Sequence, residues 1–228
     1  MTLLLFDIDG TLVTVSGAGR AAVAQSLSDL LGFPISTDGI SFSGRTDPDI
    51  LRAVLSHNGH SPSDDTIQSA LERYVAAAQE AIQPEHVRSL PGIHTLLDAL
   101  SARPDIHLAL VTGNVEPIAY HKLAAVGLDE YFSVGAFGSD HAERSALPPL
   151  ALRRARRAMG KPFSRERTVV IGDTCRDVDC AKAAGVRSLA VCTGGSPREA
   201  LDQSNPDGLL PDLTDVDRFL NHVLSTTS

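Results

Sequence analysis

Four short apolar runs, at residues 3–6, 107–111, 168–171 and 188–191, each stop abruptly at Asp7, Thr112, Gly172-Asp173 and Cys192. Runs so short and so continuously apolar suit strands buried on both faces, the condition of a parallel sheet covered by helices. Between them, apolar residues recur at helical spacing over 93–102, 117–125, 148–159 and 178–184. The last three of these segments close on Gly127, Gly160 and Gly185, the residue type that supplies a left-handed stop. Alternation of strand and helix predicts an α/β fold built on a doubly wound, Rossmann-like parallel sheet.

Residues 14–88 have a different character. Three helical segments, 20–31, 48–57 and 64–82, follow one another with no strand pattern, and Asp47 stands as an N-cap ahead of Pro48 at the first helical position. The expectation is an all-helical cap domain over 14–88, inserted into an α/β core made of 1–13 and 89–228, with hinges near 13–19 and 89–92. A chain of 228 residues accommodates such a core with a smaller insert. Ser16-Gly17-Ala18-Gly19 reads as hinge, because the full dinucleotide fingerprint is missing. The terminal Ser225-Thr226-Thr227-Ser228 is expected to fray.

Composition narrows the partners. An apolar fraction of 43% with 21% charged residues lies in the globular range, far from disordered chains. The net charge of −8 opposes attraction to a phosphate backbone, so no nucleic-acid partner is expected. The basic stretch from Arg153 to Arg167 reads as a solvated helix face. Asp7 and Asp9 cut off the first apolar run before it could form a signal core or a spanning helix, so no membrane partner is expected either. Cys175, Cys180 and Cys192 are odd in number and form no CxxC pair, which suits a reducing cytoplasm.

In an open α/β sheet, ligands collect outside the carboxyl ends of the strands. Here those ends deliver Asp7-Ile8-Asp9-Gly10-Thr11, then Thr112-Gly113-Asn114, then Gly172-Asp173-Thr174 with Asp177 one helical turn on. Each ending has a plain reading, as a turn pair, a strand exit or a helix cap. Three in succession, each after a predicted strand, point instead to one shared crevice. Clustered carboxylates repel one another unless a cation neutralises them, and an all-oxygen set suits Mg²⁺.

These three endings together resemble the signature set of the haloacid dehalogenase superfamily, and in particular its phosphoglycolate-phosphatase-like branch, in which a helical cap follows the first motif. The resemblance implies a Mg²⁺-dependent phosphatase acting on a small-molecule phosphate monoester. It makes Asp7 the nucleophile that forms an aspartyl-phosphate, and Asp9 the acid and then base that serves the leaving group and the attacking water. It gives Asp7, Asp9 (through its carbonyl) and Asp173 to the metal, and leaves Asp177 either a ligand or a supporting partner. Gly10, Thr112, Gly113 and Asn114 become phosphate-binding, with the Gly113 and Asn114 amides opening a helix whose N-terminus favours an anion. In Ser43-Gly44-Arg45-Thr46-Asp47, Arg45 is either the cap's substrate-reading residue or an exposed loop arginine.

One departure stands out. Where the family carries a lysine ahead of the helix at 148–159, this chain has Ala146, and the nearest cation is Arg144. Arg144 either takes the lysine's place at the phosphate or is a surface residue; the guanidinium is bulkier and planar, no neutral exchange for an ammonium. Lys122, Lys161 and Lys182 lie in or beside other helices and fit that role less well. The alternatives to hydrolysis are a sugar phosphomutase using the same aspartate pair and a catalytically inactive phosphate-binding homologue. Retention of Asp9 favours turnover, since a pure binder needs no proton shuttle.

Overall fold

The computed structural model describes residues 1–225. The first strand, β1 (Thr2–Phe6), is buried along its whole length. A three-residue strand β2 (Val13–Val15) follows, then helices α1 (Ala18–Leu31), α2 (Asp47–His57) and α3 (Asp64–Ala81), and a second short strand β3 (Val87–Ser89). Next come α4 (Ile93–Ser101), β4 (Ile106–Val111), α5 (Glu116–Ala124), β5 (Gly135–Ala136), α6 (Leu147–Met159), β6 (Thr168–Gly172) and α7 (Cys175–Ala184). The chain ends with β7 (Arg187–Val191), α8 (Arg198–Gln203), β8 (Gly208–Leu210) and α9 (Val216–Leu224).

Six strands form one sheet in the order β5-β4-β1-β6-β7-β8, and every neighbouring pair is parallel. This is the predicted doubly wound architecture. Phe6 lies level with Leu110 on one side and with Ile171 on the other, so the residues that follow the three central strands emerge at about one height. The strand order runs outward in both directions from β1, and that reversal opens the crevice in which such sheets hold ligands.

The apolar runs carry no polar alternation because each strand is covered twice. Leu4, Phe6, Leu108, Leu110, Val169 and Ile171 join a core that includes residues of α4, α5 and α9 and extends into the helical segment through Val23, Leu51 and Tyr74. Leu3, Leu5, Ala109, Val111 and Val170 pack on the opposite face with residues of α6 and α7. Each such leucine is worth roughly 1.5–3 kcal/mol of burial.

The structure differs from the sequence reading at several points. Residues 14–88 are not free of strand: β2 and β3 pair antiparallel at the two ends of the segment, Val13 with Ser89 and Val15 with Val87. Thr46, not Asp47, is the N-cap of α2; its hydroxyl accepts from the Asp49 N–H, and Asp47 is already helical. The strands β5 and β8, two and three residues long, and the helices α8 and α9 fall outside the predicted elements. Fraying was predicted for a segment that, from Thr226 onward, lies outside the described residues. Among the described residues no helix is long and apolar enough to cross a membrane, and the three cysteines are free.

Candidate active site

Asp7 follows β1 directly, and its N–H donates to the Ile171 carbonyl, which fixes the exit of the strand. The carboxylate is 4% exposed and faces Asp173, after β6, and Asp177, in the first turn of α7. One oxygen from each of the three lies within 4.8 Å of the others. Arg144, in a short 3₁₀ turn just ahead of α6, enters this cluster: one terminal nitrogen stands 3.1 Å from Asp7 Oδ1 and 2.5 Å from Asp177 Oδ1. At 8% exposure Arg144 is a buried member of the site and no surface residue.

Burial raises the Asp7 carboxyl above the usual carboxylate range; Arg144 opposes the rise, while Asp177 and Asp9 add to it. Asp173 is also raised, by burial and then by its neighbours Asp7 and Asp177. Three buried carboxylates facing one guanidinium leave an excess of two negative charges. A divalent cation would cancel that excess, and an all-oxygen carboxylate set is the kind of donor a hard ion takes. The donor set therefore fits Mg²⁺. Asp177 is further tied down by the Thr174 N–H (3.0 Å) and hydroxyl (2.6 Å), so it caps its own helix and anchors Arg144 as well. Asp173 accepts from the Thr11 hydroxyl at 3.3 Å and from the Gly195 N–H in the loop after β7, a loop the sequence reading passed over.

Asp9 takes a different direction. Its carboxylate is absent from the acidic cluster and is held by Lys122 Nζ, at 2.9 Å from Oδ1 and 2.7 Å from Oδ2, and by Asn114 Nδ2, at 2.6 Å from Oδ2. Burial alone would raise it; the charge and hydrogen bonds of Lys122, with Asn114, hold it below the usual range. Lys122 itself is 6% exposed and also donates to Asn114 Oδ1 at 2.6 Å. In the sequence this lysine reads only as a helix residue, a poorer candidate than Arg144 for the family lysine. A signal was there to be read: Ile118, Ala119, Lys122 and Leu123 make the buried stripe of α5, and a lysine in the middle of an apolar stripe must have a buried partner.

The phosphate-binding set is placed unevenly. Thr112 Oγ1 accepts from the Asn114 N–H (3.3 Å) and side-chain amide (3.0 Å), which leaves the hydroxyl proton free to donate. The helix α5 begins at Glu116, two residues later than the reading that had Asn114 open it, so the Asn114 amide is spent on Thr112 and its side chain serves Asp9. Gly10 donates its N–H to Val13 and accepts from the Thr193 hydroxyl, so its backbone groups are already committed. The Gly113 carbonyl accepts from the Asp47 N–H, while among the described residues its own N–H has no protein acceptor.

The helical segment closes the crevice from above. Asp47 accepts from the Val115 N–H at 2.8 Å, and the Thr46 hydroxyl donates to the Ala142 carbonyl at 2.6 Å, so α2 is clipped by its N-terminus to the loops after β4 and β5. Arg45 lines the resulting cavity of about 420 Å³, with its guanidinium 3.3 Å from Asp49. Asp7, Asp9, Thr112, Gly113, Asn114, Lys122, Arg144 and Asp173 line the same space. The predicted site residues thus meet at one place, save that Asp177 lies behind it.

The profile of haloacid dehalogenase-like hydrolases matches residues 4–191. A phosphoglycolate phosphatase of Pectobacterium atrosepticum is 28% identical over 226 residues, covering 96% of this chain and 92% of the relative. Among solved structures, a hydrolase from Pseudomonas syringae superposes with a TM-score of 0.75 at 22% identity, covering 99% of this chain and all of the other. CbbY from Rhodobacter sphaeroides, solved in complex with phosphate, gives 0.68 at 26% identity, covering 95% and 96% of the two chains. With the family's profile matched over most of the chain, a matching fold and relatives aligned over nearly its full length, the chain belongs to the haloacid dehalogenase-like hydrolases, in their phosphoglycolate-phosphatase-like branch.

Proposed function

We propose that the protein is a Mg²⁺-dependent phosphatase that hydrolyses a small phosphate monoester through an aspartyl-phosphate on Asp7. The observation that carries this reading is the buried triad of Asp7, Asp173 and Asp177 bridged by Arg144, with Asp9 standing separately across the same cavity. Asp7 faces Arg144 and Asp9 faces Lys122 and Asn114, so the two carboxylates are held toward different partners and can take two chemical roles.

Asp7 is the nucleophile: one carboxylate oxygen attacks phosphorus, and the ester oxygen leaves. Asp9 delivers a proton to that oxygen and later takes one from the water that attacks the aspartyl-phosphate. Thr112 and the Gly113 N–H donate to phosphoryl oxygens, and Arg144 takes the place of the family lysine, balancing Asp7 as charge moves onto phosphate. Asp7, Asp173 and the Asp9 carbonyl would hold Mg²⁺, with Asp177 behind them orienting Arg144, and the ion would offset the carboxylates' repulsion and the charge of the incoming phosphate. Residues 14–88 act as the cap, tethered by the β2–β3 ribbon and seated through Thr46 and Asp47, and they exclude bulk water from the intermediate. Arg45 sits on the seated cap where it can contact the substrate.

The test is hydrolysis of a panel led by phosphoglycolate, with sugar phosphates, nucleoside monophosphates and pyrophosphate, in Mg²⁺ and in EDTA. At least one ester is expected to be turned over in Mg²⁺ only, with Asp7→Asn inactive. Equal rates for wild type and Asp7→Asn would end the reading, and turnover that required a sugar bisphosphate would turn it toward a mutase.

A further inference from the structure

A general acid is useful only if its oxygen stands where the leaving group departs, and the Asp9 side chain has three ways to turn. Asp7, two residues before it, repels it. What fixes its direction is on α5: Lys122 bonds both carboxylate oxygens, and Asn114, itself bonded by Lys122 at its own oxygen, bonds one of them again. Asp9, Asn114 and Lys122 therefore form a closed ring of hydrogen bonds in which each member constrains the other two. Lys122 is enclosed at 8% side-chain exposure, whereas Asp9 keeps 44% and so remains open to the cavity. The anchor is hidden and the anchored group is presented.

The cap contributes to the same spot. Asp47, in α2, carries a carboxylate that feels the charge of Lys122, and the Tyr74 phenol of α3 lowers its pKa further. The same ammonium thus acts on the core's Asp9 and on the cap's Asp47.

We infer that Lys122 is a positioning residue for the leaving-group step: it holds Asp9 away from the acidic cluster and aimed into the cavity. The inference rests on the phosphatase reading. Lys122 donates to Asp9 and Asn114 and to none of Asp7, Asp173 and Asp177, and the role has a signature that a merely structural lysine lacks. A misplaced general acid hurts most when the leaving oxygen is strongly basic, because an alkoxide needs the proton and a nitrophenolate does not.

The experiment compares kcat/KM of wild type and Lys122→Met on an alkyl phosphate and on p-nitrophenyl phosphate, both with Mg²⁺. Since a general acid is worth 10²–10⁴-fold, Lys122→Met is expected to lose about 100-fold or more on the alkyl ester and roughly tenfold on the aryl ester, with KM little changed. Lys122→Arg should recover part of the alkyl-ester loss. In an Asp9→Ala background the Lys122→Met change should add little, the mark of two residues acting as one unit. Should Lys122→Met not fold, Lys122→Gln is measured in the same way. Equal losses on both esters, or full additivity with Asp9→Ala, would overturn the inference. If Asp7→Asn retained wild-type turnover, the phosphatase reading would fall first, and the two failures are distinct.

Discussion

Arg144 makes two ion pairs through a single nitrogen, and its removal would leave three buried carboxylates facing one another with no counter-charge. Breaking a buried ion pair by deleting one partner typically costs about 3–5 kcal/mol. Arg144→Met is therefore expected to melt well below wild type in EDTA. Added Mg²⁺ should raise its melting temperature by more than it raises that of wild type, because the ion then supplies the whole of the missing charge. Arg144→Lys keeps the charge but cannot reach both carboxylates in the same plane, and it should fall between the two. Equal Mg²⁺ shifts for all three proteins, measured by thermal melts, would show that Arg144 and the ion do not share these carboxylates. At this scale the sequence was informative about identity and poor about direction. Asp7, Asp9, Asp173 and Asp177 could be found because they interrupt or follow apolar strands. That Asp9 turns to Lys122 depends on which face of α5 meets the strand end 113 residues earlier, and no local pattern encodes that.

Two loops and one helix N-terminus meet in close backbone contact. A Cβ added to Gly113 would fall on the carbonyl of Arg45, in the segment leading into α2, and one added to Gly138 would fall on the carbonyl of Gly113. Both glycines answer a close approach, but the partners differ in kind. Gly113→Ala strikes chiefly the segment leading into α2 and, at 2.9 Å, the Arg144 guanidinium, whereas Gly138→Ala strikes chiefly another loop of the core. We expect Gly113→Ala to leave the melting temperature within a few degrees of wild type while lowering kcat/KM about 100-fold or more, since small misplacements of closing elements cost that much. Gly138→Ala should instead lower stability by about 1–3 kcal/mol, the usual penalty of overpacking. A Gly113→Ala protein with full activity would show that the clip at Thr46 and Asp47 is dispensable. The elements themselves were legible in proportion to their length and burial. Long apolar runs such as those of β1 and β4 and the glycine-stopped helices declared themselves. The strands β5 and β8 did not, because two or three residues hold no period and their pairing is imposed by the neighbouring strand. The β2–β3 ribbon escaped notice for the same reason, its partners lying more than seventy residues apart.

Cap and core are joined by a buried acid, and this gives the whole molecule a pH-dependent term in its stability. Asp47 is pushed up from 3.8 to about 6, chiefly by burial. The groups around it act in both senses: Lys122 from α5 and the Val115 N–H lower it, the Tyr74 phenol from α3 lowers it by hydrogen bonding, and Asp9 raises it. The sign follows from the folded value lying above the unfolded one. The folded state binds a proton more readily, so this group's contribution is fully present below about pH 4 and is lost as the pH rises through 6. A rise of about two pKa units corresponds to about 3 kcal/mol. Asp47→Asn keeps an oxygen for the Val115 N–H and cannot ionise. Other raised acids, Asp7 and Asp173 among them, titrate in the same interval, so the telling quantity is the difference in unfolding free energy between Asp47→Asn and wild type at each pH. In urea titrations from pH 4 to pH 8, that difference should favour the variant progressively between about pH 4 and 6 and level off above, at up to about 3 kcal/mol. Parallel curves would mean that Asp47 titrates normally and that the cap is not held against the core through a desolvated carboxylate. A difference that grew toward low pH instead would mean that Lys122 stabilises the charged form by more than burial penalises it.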